Sequence, residues 1–254
     1  MNKTALITGA TSGLGYEFVQ LLAKEQYNLI VVARNEEKLL SIKSEFPLLN
    51  VTTIPIDLSK PESVRKMVEE IQEKGLQVDV LINNAGFGLL GKFDELNVEK
   101  QLEMIQLNIS ALTELTHAFL PQMKKQKFGQ IMNVASTAAF QPGPMMAVYY
   151  ATKAYVLSFS EALVEELAGT GVTVTTLCPG ATKTNFGSVA NVEKTKMFSN
   201  AMDATTVAAL GYNGMKNGKR VVITGSSNKI GATAAKFLPR STAAKIAKYV
   251  AQDK

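Results

Sequence analysis

The sequence predicts an α/β protein built as one doubly wound domain, in which a mostly parallel seven-stranded sheet carries helices on both faces. Seven short segments rich in Val, Ile and Leu alternate with longer amphipathic segments along almost all of the 254 residues. The short segments are apolar on both faces, which is typical of parallel strands covered by helices. Since no composition break divides the chain, we expect one domain over residues 1–225, extended by a basic segment over 226–254.

The predicted strands follow the apolar runs, and the predicted helices follow the amphipathic segments between them. The strands are Ala5–Thr8, Leu29–Ala33, Thr52–Ile56, Val80–Asn83, Gln130–Val134, Val172–Leu177 and Arg220–Thr224. Apolar side chains recur at helical spacing over residues 14–25, 36–45, 62–74, 97–126, 146–168 and 204–217. Ser59 and Glu62 have the spacing of a capping box, and Asp203 is a predicted N-cap.

The composition excludes several classes of function. The single Cys178 excludes a disulfide framework and a cysteine-rich zinc site, and the single His117 excludes a multi-histidine site, so no metal site is predicted. Proton transfer must therefore depend on Tyr, Lys, Ser, Asp or Glu side chains. Residues 226–254 hold six Lys or Arg and one Asp, which accounts for the whole net charge of +5. The remaining body is neutral, which argues against nucleic-acid binding.

The location of the protein is predicted from two patterns. The first nine residues enter a strand pattern at once, without the architecture of a signal peptide. No apolar run approaches the roughly 18–20 residues that a spanning helix needs. We therefore expect a cytoplasmic protein.

The basic tail contains a predicted amphipathic helix over residues 237–250. Ile246, Tyr249 and Val250 fall on one face of this helix, and Lys245 and Lys248 lie elsewhere. Such a helix suits contact with an anionic membrane surface, which high salt would weaken if the contact is electrostatic. A contact between subunits, or a solvated chain end, is favoured over membrane contact.

A glycine-rich turn follows the first predicted strand and opens a helix. Its sequence over residues 8–15 is Thr-Gly-Ala-Thr-Ser-Gly-Leu-Gly. Glycine lets a ligand approach the backbone, and the free amides of a helix start attract phosphate. The predicted phosphate-binding residues are Gly9, Thr11, Ser12, Gly13, Leu14 and Gly15. The alternative is a purely structural turn, which also explains a similar pattern over residues 222–231.

With Thr-Gly-x₃-Gly-x-Gly at this place, the chain resembles the short-chain dehydrogenase/reductase family from Lys3 to about Arg220. The resemblance implies a Rossmann-like catalytic domain that binds a nicotinamide dinucleotide. It also implies cofactor contacts at the ends of two further strands. The residues concerned are Asp57 and Leu58 at the adenine, and Asn84, Ala85 and Gly86 within an Asn-Asn-Ala-Gly segment.

The end of the second strand indicates which nicotinamide cofactor is bound. An acidic residue there would bind the ribose hydroxyls of NAD(H) and repel a 2′-phosphate. This chain has Ala33 followed by Arg34, whose guanidinium suits phosphate oxygens. NADP(H) is therefore predicted in preference to NAD(H), although a surface arginine at a helix start is the alternative.

Tyr149 and Lys153 lie four residues apart and share one face of a predicted helix. A positive charge about 4 Å away, at an effective dielectric constant of about 20, stabilises a phenolate by roughly 4 kcal/mol. Lys153, alone or with the positive nicotinamide ring, could therefore lower the pKa of Tyr149 toward neutrality. Such a pair by itself is usually just a helix surface, and the neighbouring Tyr150, on another face, is expected to be structural.

Ser136 supports a catalytic reading of this pair, because it ends the fifth predicted strand, thirteen residues before Tyr149. Its hydroxyl could bind the substrate oxygen as charge develops there. The resemblance implies a catalytic Ser136–Tyr149–Lys153 set, in which Tyr149 and Lys153 also contact the cofactor. It further implies that Asn108, in the long preceding helix, holds a water in the proton relay.

A Pro-Gly-Ala-Thr-Lys-Thr segment follows the sixth strand and resembles the family's Pro-Gly-x-Val-x-Thr. The resemblance implies nicotinamide contacts from Pro179, Gly180, Thr182 and Thr184, with Thr182 replacing the usual valine. The following residues, about 185–202, mix apolar and polar side chains as a mobile lid would. The apolar residues at this end of the sheet suggest an apolar carbonyl substrate, and ordinary core packing is the alternative for many of them. They are Phe87, Leu89, Leu90, Phe140, Met145, Met146, Phe186, Val189, Met197, Phe198 and Met202.

The predicted activity is hydride transfer between NADP(H) and an apolar ketone or aldehyde, or the corresponding alcohol. The alternative is a non-catalytic dinucleotide sensor on the same fold, but Ser136, Tyr149 and Lys153 are all present, which favours an enzyme. The long helices at 97–126 and 146–168 resemble those through which the family assembles. A homodimer or homotetramer is therefore expected.

Overall fold

The computed structural model describes residues 2–252. The strands are β1 (Thr4–Thr8), β2 (Asn28–Ala33), β3 (Val51–Pro55), β4 (Val80–Asn83), β5 (Gly129–Val134), β6 (Val172–Cys178), β7 (Thr182–Lys183), β8 (Met202–Asp203) and β9 (Val221–Ile223). The helices are α1 (Gly13–Lys24), α2 (Glu36–Glu45), α3 (Ser63–Glu73), α4 (Val98–Ile105), α5 (Leu112–Lys125), α6 (Ala147–Glu166), α7 (Phe186–Val189), α8 (Ala204–Lys216), α9 (Ser226–Phe237) and α10 (Arg240–Val250).

Seven strands form one sheet in the order β3-β2-β1-β4-β5-β6-β9. All six pairings in this sheet are parallel. After β3 the chain returns across the sheet to place β4 beside β1, so the strand order reverses between these two strands. Ligands of doubly wound sheets bind in the crevice that this reversal opens at the carboxyl ends of the strands.

Two apolar clusters cover the two faces of the sheet and confirm the predicted α/β class. Side chains alternate between them along β1, where Ala5 and Ile7 face one cluster and Leu6 faces the other. Helices α1, α2 and α8 contribute to the first cluster, and α3, α5 and α6 contribute to the second. Because both faces are dry, the strands are apolar at successive positions, as the sequence pattern indicated.

The predicted helix over 97–126 is not one α-helix. A π-helical segment, Gln106–Ala111, separates α4 from α5. Such a segment places one more residue in a turn than an α-helix does, which local apolar spacing does not reveal. The extra residue lies in the turn that carries Asn108, whose buried side chain bonds to a neighbouring loop.

The predicted capping box at Ser59 and Glu62 is wrong. Glu62 adopts a left-handed backbone conformation, and α3 begins only at Ser63. The Ser59 hydroxyl donates instead to Asp57 Oδ1 at 2.7 Å. At α8, Asp203 does occupy the predicted N-cap position, although its side chain accepts no capping hydrogen bond there.

The basic tail packs beside the carboxyl ends of the strands. Ala247 of α10 belongs to the same apolar cluster as Met146 and Tyr149. The Lys196 amide donates to the Gln252 carbonyl at 3.1 Å, which joins the tail to the segment predicted as a lid. Among the helices within residues 2–252, none is both long enough and apolar enough to span a bilayer.

Candidate active site

A cavity of about 660 Å³ opens at the carboxyl ends of the strands, over the point where the strand order reverses. We call it the strand-end cavity. Its wall contains the following predicted site residues: Gly9, Thr11, Ser12, Gly13, Leu14, Arg34, Asp57, Leu58, Asn84, Ala85, Gly86, Ser136, Tyr149, Lys153, Pro179, Gly180, Thr182 and Thr184. Gly15 and Asn108 lie behind the wall. The structure thus brings residues from six separate strand ends into one space.

The glycine turn after β1 has the shape of a phosphate cradle. Gly9 and Gly13 adopt positive φ angles of 66° and 51°, which other residues adopt only with strain. A Cβ atom at Gly15 would collide with the Gly9 carbonyl oxygen, so this glycine lets α1 pack against the turn. Helix α1 has no side-chain cap at Ser12 and no acidic residue in its first turn. Its amides are available to an anion, so the residues present fit a cofactor diphosphate.

Thr8 and Asn84 hold this turn against the end of β4. The Thr8 hydroxyl accepts hydrogen bonds from the Asn84 and Ala85 amides, each at 3.0 Å. The Asn84 side chain donates back to the Thr8 carbonyl at 2.9 Å. Sequence analysis did not single out Thr8, although its place at the end of β1 could have indicated this role.

The far end of the strand-end cavity is positively charged. Arg34 is exposed there and makes no ion pair within residues 2–252. Lys38 also lines this end, in the first turn of α2. The carboxylate of Asp57 already accepts from the Ser59 amide and hydroxyl, at 3.0 and 2.7 Å. This end of the cavity therefore has two cationic side chains, and the carboxylate beside them is already hydrogen-bonded.

Tyr149, Lys153 and Ser136 meet at the other end of the strand-end cavity. Both helix residues are buried on the inner face of α6, with the Lys153 Nζ atom 5.8 Å from the centre of the Tyr149 ring. Lys153 donates to the Val134 carbonyl at 2.8 Å. The Ser136 hydroxyl accepts from the Ala138 amide at 3.1 Å and faces the Pro179 carbonyl at 3.4 Å. The turn after β5 therefore fixes Ser136 beside the phenol.

The charge state of this group differs from the sequence-based expectation. Burial raises the pKa of the Tyr149 phenol above its ordinary value, and the nearby Ser136 side chain opposes this rise. Burial also lowers the pKa of the Lys153 ammonium from 10.5 to about 8. The expected lowering of the Tyr149 pKa by Lys153 is thus absent in the protein alone, because the same burial that shields the phenol disfavours the lysine charge.

Asn108 connects the loop after β4 to α6. Its side-chain oxygen accepts from the Phe87 amide at 3.2 Å. Its side-chain nitrogen donates to the Phe87 carbonyl at 3.0 Å and to the Thr152 hydroxyl at 3.1 Å. Asn108 thus positions the elements around Lys153, and both its side-chain oxygen and its side-chain nitrogen bond to protein atoms.

The segment after β6 forms the wall of the strand-end cavity between the end at Arg34 and the end at Tyr149. The Thr184 side chain lies against Gly13, where a Cβ atom would come within 2.9 Å of it. Gly180 has Asn228 of α9 as its close neighbour, and Asn228 donates to the Thr224 carbonyl at 2.7 Å. Asn228 lies within residues 222–231, the segment whose sequence pattern is similar to the glycine-rich turn after β1. This segment therefore helps to build the strand-end cavity, a role that the sequence analysis did not predict.

The remaining wall is largely apolar. The Phe186 ring lies 5.4 Å from that of Tyr149, centre to centre. The predicted apolar residues that line the cavity are Phe87, Met146, Phe186, Val189, Met197 and Phe198, whereas Leu89, Leu90, Phe140, Met145 and Met202 do not line it. Val192 and the tail residue Val250 line it without having been predicted. Their distance along the chain from the motifs left no local signal.

Comparison with known proteins places this geometry in a family. Residues 3–195 match the family described as short chain dehydrogenase. An uncharacterized oxidoreductase of Staphylococcus aureus (strain MRSA252) is 34% identical over 183 residues, covering 72% of this chain and 79% of that protein.

Two solved structures share the fold over nearly their whole length. A short-chain dehydrogenase from Sphingobium yanoikuyae in complex with NADPH has a TM-score of 0.81 at 28% identity, covering 92% of this chain and 94% of its own. The bulky-bulky ketone specific alcohol dehydrogenase from Comamonas testosteroni has a TM-score of 0.78 at 27% identity, covering 92% of both chains. The family match, the oxidoreductase relative and the strand-end cavity agree that this chain belongs to the short-chain dehydrogenase family of oxidoreductases.

Proposed function

We propose that this protein is an NADP(H)-dependent oxidoreductase that interconverts an apolar ketone or aldehyde and its alcohol. The observation that carries the proposal is the continuity of the strand-end cavity. One end has a phosphate cradle and an exposed arginine, and the other has a buried tyrosine, lysine and serine beside apolar side chains. Such an arrangement suits a nicotinamide dinucleotide stretched along the strand ends with its reactive ring at the tyrosine.

In the reduction, the carbonyl carbon gains a hydride and the carbonyl oxygen gains a proton. Bound NADPH supplies the hydride. Tyr149 supplies the proton, since its raised pKa keeps the phenol protonated at neutral pH. Ser136 donates a hydrogen bond to the same oxygen, which stabilises the negative charge that develops there. Lys153 places its ammonium near the phenol and stabilises the phenolate left behind.

Orientation of the reactants depends on residues that do not take part in proton transfer. Thr184 and the Pro179–Gly180 turn would hold the carboxamide of the nicotinamide. Asn108 joins the loop after β4 to α6, the helix that carries Lys153. Phe186, Met146 and Val250 exclude water from the reacting atoms, which strengthens the interactions with the developing charge.

The preference for NADP(H) is supported by Arg34, which stands where an acidic residue would bind NAD(H). The relative from Sphingobium yanoikuyae was solved with NADPH. We expect Arg34→Ala to raise KM for NADPH about tenfold or more through the loss of a charge-assisted hydrogen bond. Steady-state kinetics with NADPH and NADH would measure this change.

The matched control for this substitution is Lys43→Ala, because Lys43 is exposed on α2, the helix that follows Arg34, but does not line the cavity. KM for NADPH should stay unchanged in the control. Equal losses with NADPH and NADH in Arg34→Ala would show that Arg34 does not select the cofactor.

The class of substrate is proposed from the apolar wall around Tyr149. Phe186, Met146, Val192, Phe198 and Val250 surround the reacting end with apolar side chains. The Comamonas testosteroni relative is described as a bulky-bulky ketone specific alcohol dehydrogenase. The test is NADPH oxidation with a panel of apolar ketones and aldehydes. Turnover supports the proposal, whereas tight NADPH binding without turnover would indicate a dinucleotide sensor instead.

The assembly and location are also proposed. Val98, Leu102 and Ile105 form an exposed apolar row on α4, and Tyr155 of α6 is exposed as well. Contact through these helices would bury that row in a homodimer or homotetramer. A cytoplasmic location suits an enzyme that uses NADPH. Light scattering of the purified protein tests the assembly, and a monomer would contradict it.

A further inference from the structure

The outer side of the tail carries only positive charge. From residue 204 to residue 252 the sequence contains neither Asp nor Glu. The five cations of α9 and α10 make no ion pair within residues 2–252. They are Lys229, Lys236, Arg240, Lys245 and Lys248.

Large apolar side chains are exposed among these cations. On α9, Ile230 and Phe237 are 71% and 84% exposed, and they lie two turns apart, away from the buried Ala232. On α10, Ile246 and Tyr249 are 51% and 61% exposed. Together with the five cations, these residues define what we call the tail face. Removing exposed Phe and Ile side chains from water is favourable, so this group of residues is suited to contact with a partner that is partly apolar.

The tail face adjoins the apolar end of the strand-end cavity. Val250, on the last turn of α10, lines that cavity directly. The Lys196 ammonium lies 3.9 Å from the centre of the Tyr249 ring, which joins the tail face to residues 185–202. Val189 also lines the cavity and is 60% exposed. A surface bound to the tail face would therefore lie near the apolar end of the strand-end cavity, where we expect the substrate to bind.

We propose that the tail face docks on an anionic phospholipid surface. Cations interleaved with exposed Phe, Ile and Tyr match the headgroup region of such a surface, where both kinds of side chain are accommodated. A twofold contact with a second copy would set five cations against five, which disfavours it. Nucleic acid would use the cations but leave Ile230 and Phe237 in water. This inference does not depend on the proposed oxidoreductase activity.

The test is flotation of the full-length protein with lipid vesicles, without substrate. The anionic vesicles contain phosphatidylcholine with about 30% phosphatidylglycerol, and the neutral ones contain phosphatidylcholine alone. Two variants alter the tail face: Lys245→Glu/Lys248→Glu changes its charge, and Ile230→Ser/Phe237→Ser changes its apolar part. The matched control, Lys43→Glu/Lys66→Glu, makes the same charge change on the body. Circular dichroism and NADPH binding show whether each variant is folded.

We expect flotation with anionic vesicles only, weakening between about 0.1 M and about 0.5 M NaCl. Each tail variant should lower the partition coefficient by about tenfold or more, with little change in the control. Absence of flotation, equal flotation with neutral vesicles, or an equal loss in the control would overturn the proposal. If the protein binds no vesicle but forms a dimer that the tail variants abolish, or binds a short DNA duplex, the proposal is also overturned.

Discussion

Tyr149→Phe is expected to lower kcat for ketone reduction by about 10²–10⁴-fold, because it removes the hydroxyl that gives its proton to the substrate oxygen. The ring remains, so its contact with Phe186 and the packing of α6 are kept. Affinity for NADPH should change little. Steady-state kinetics and fluorescence titration with NADPH would measure the two quantities separately.

The neighbouring Tyr150→Phe provides the matched control. Tyr150 is as buried as Tyr149, and its ring meets that of Tyr149 edge to face at 6.2 Å. Loss of its hydroxyl removes the same atom from the same helix, so kcat should stay within about threefold of the wild type. Equal kcat values for the two variants would remove Tyr149 from the proton-transfer step.

Lys153→Met is expected to lower kcat/KM for reduction by about 10²-fold or more, because the phenolate left by proton transfer then lacks a nearby positive charge. Methionine has a similar length and fits the apolar surroundings of α6. The fold should therefore be retained. Kinetics over a range of NADPH concentrations would separate this loss from weaker cofactor binding. An unchanged kcat/KM would contradict the role given to Lys153.

The same variant tests the charge state of the site through stability. Burial lowers the pKa of Lys153 to about 8, whereas the unfolded chain keeps a value near 10.5. Between these pH values the unfolded state binds a proton that the folded state has released, so stability rises with pH. The free energy of unfolding of the wild type, relative to Lys153→Met, should rise by on the order of 3 kcal/mol from pH 8 to 10.5. Urea unfolding of the two cofactor-free proteins measures this difference. A difference that stays constant with pH would contradict the lowered pKa of Lys153.

Local patterns in the sequence predicted the sheet and much of the candidate site. Strand segments such as Ala5–Ile7 are apolar on both faces, and this pattern predicts that they are buried. The parallel order then brings Gly9, Asn84, Ser136 and Tyr149 to one edge, although they are far apart in sequence. The family resemblance added roles that spacing alone could not supply.

The features that sequence analysis missed depend on contacts between distant segments. The π-helical turn at Asn108 and the approach of Asn228 to Gly180 have no periodic signal. Val250 reaches the cavity only because α10 folds back onto the cluster around Tyr149. The pKa of Tyr149 was expected to be low because the expectation included the charge of Lys153 but not the burial of the phenol, which raises the pKa. Burial is a property of the packed chain.

Direct hydride transfer from the cofactor to a carbonyl carbon is tested most directly by isotope transfer. NADPH carrying deuterium at both C4 positions would be incubated with the protein and the ketone it reduces best, and the alcohol analysed by mass spectrometry. We predict one deuterium on the carbinol carbon in ordinary water. Alcohol without deuterium, or no alcohol with any apolar carbonyl compound despite NADPH binding, would contradict the account.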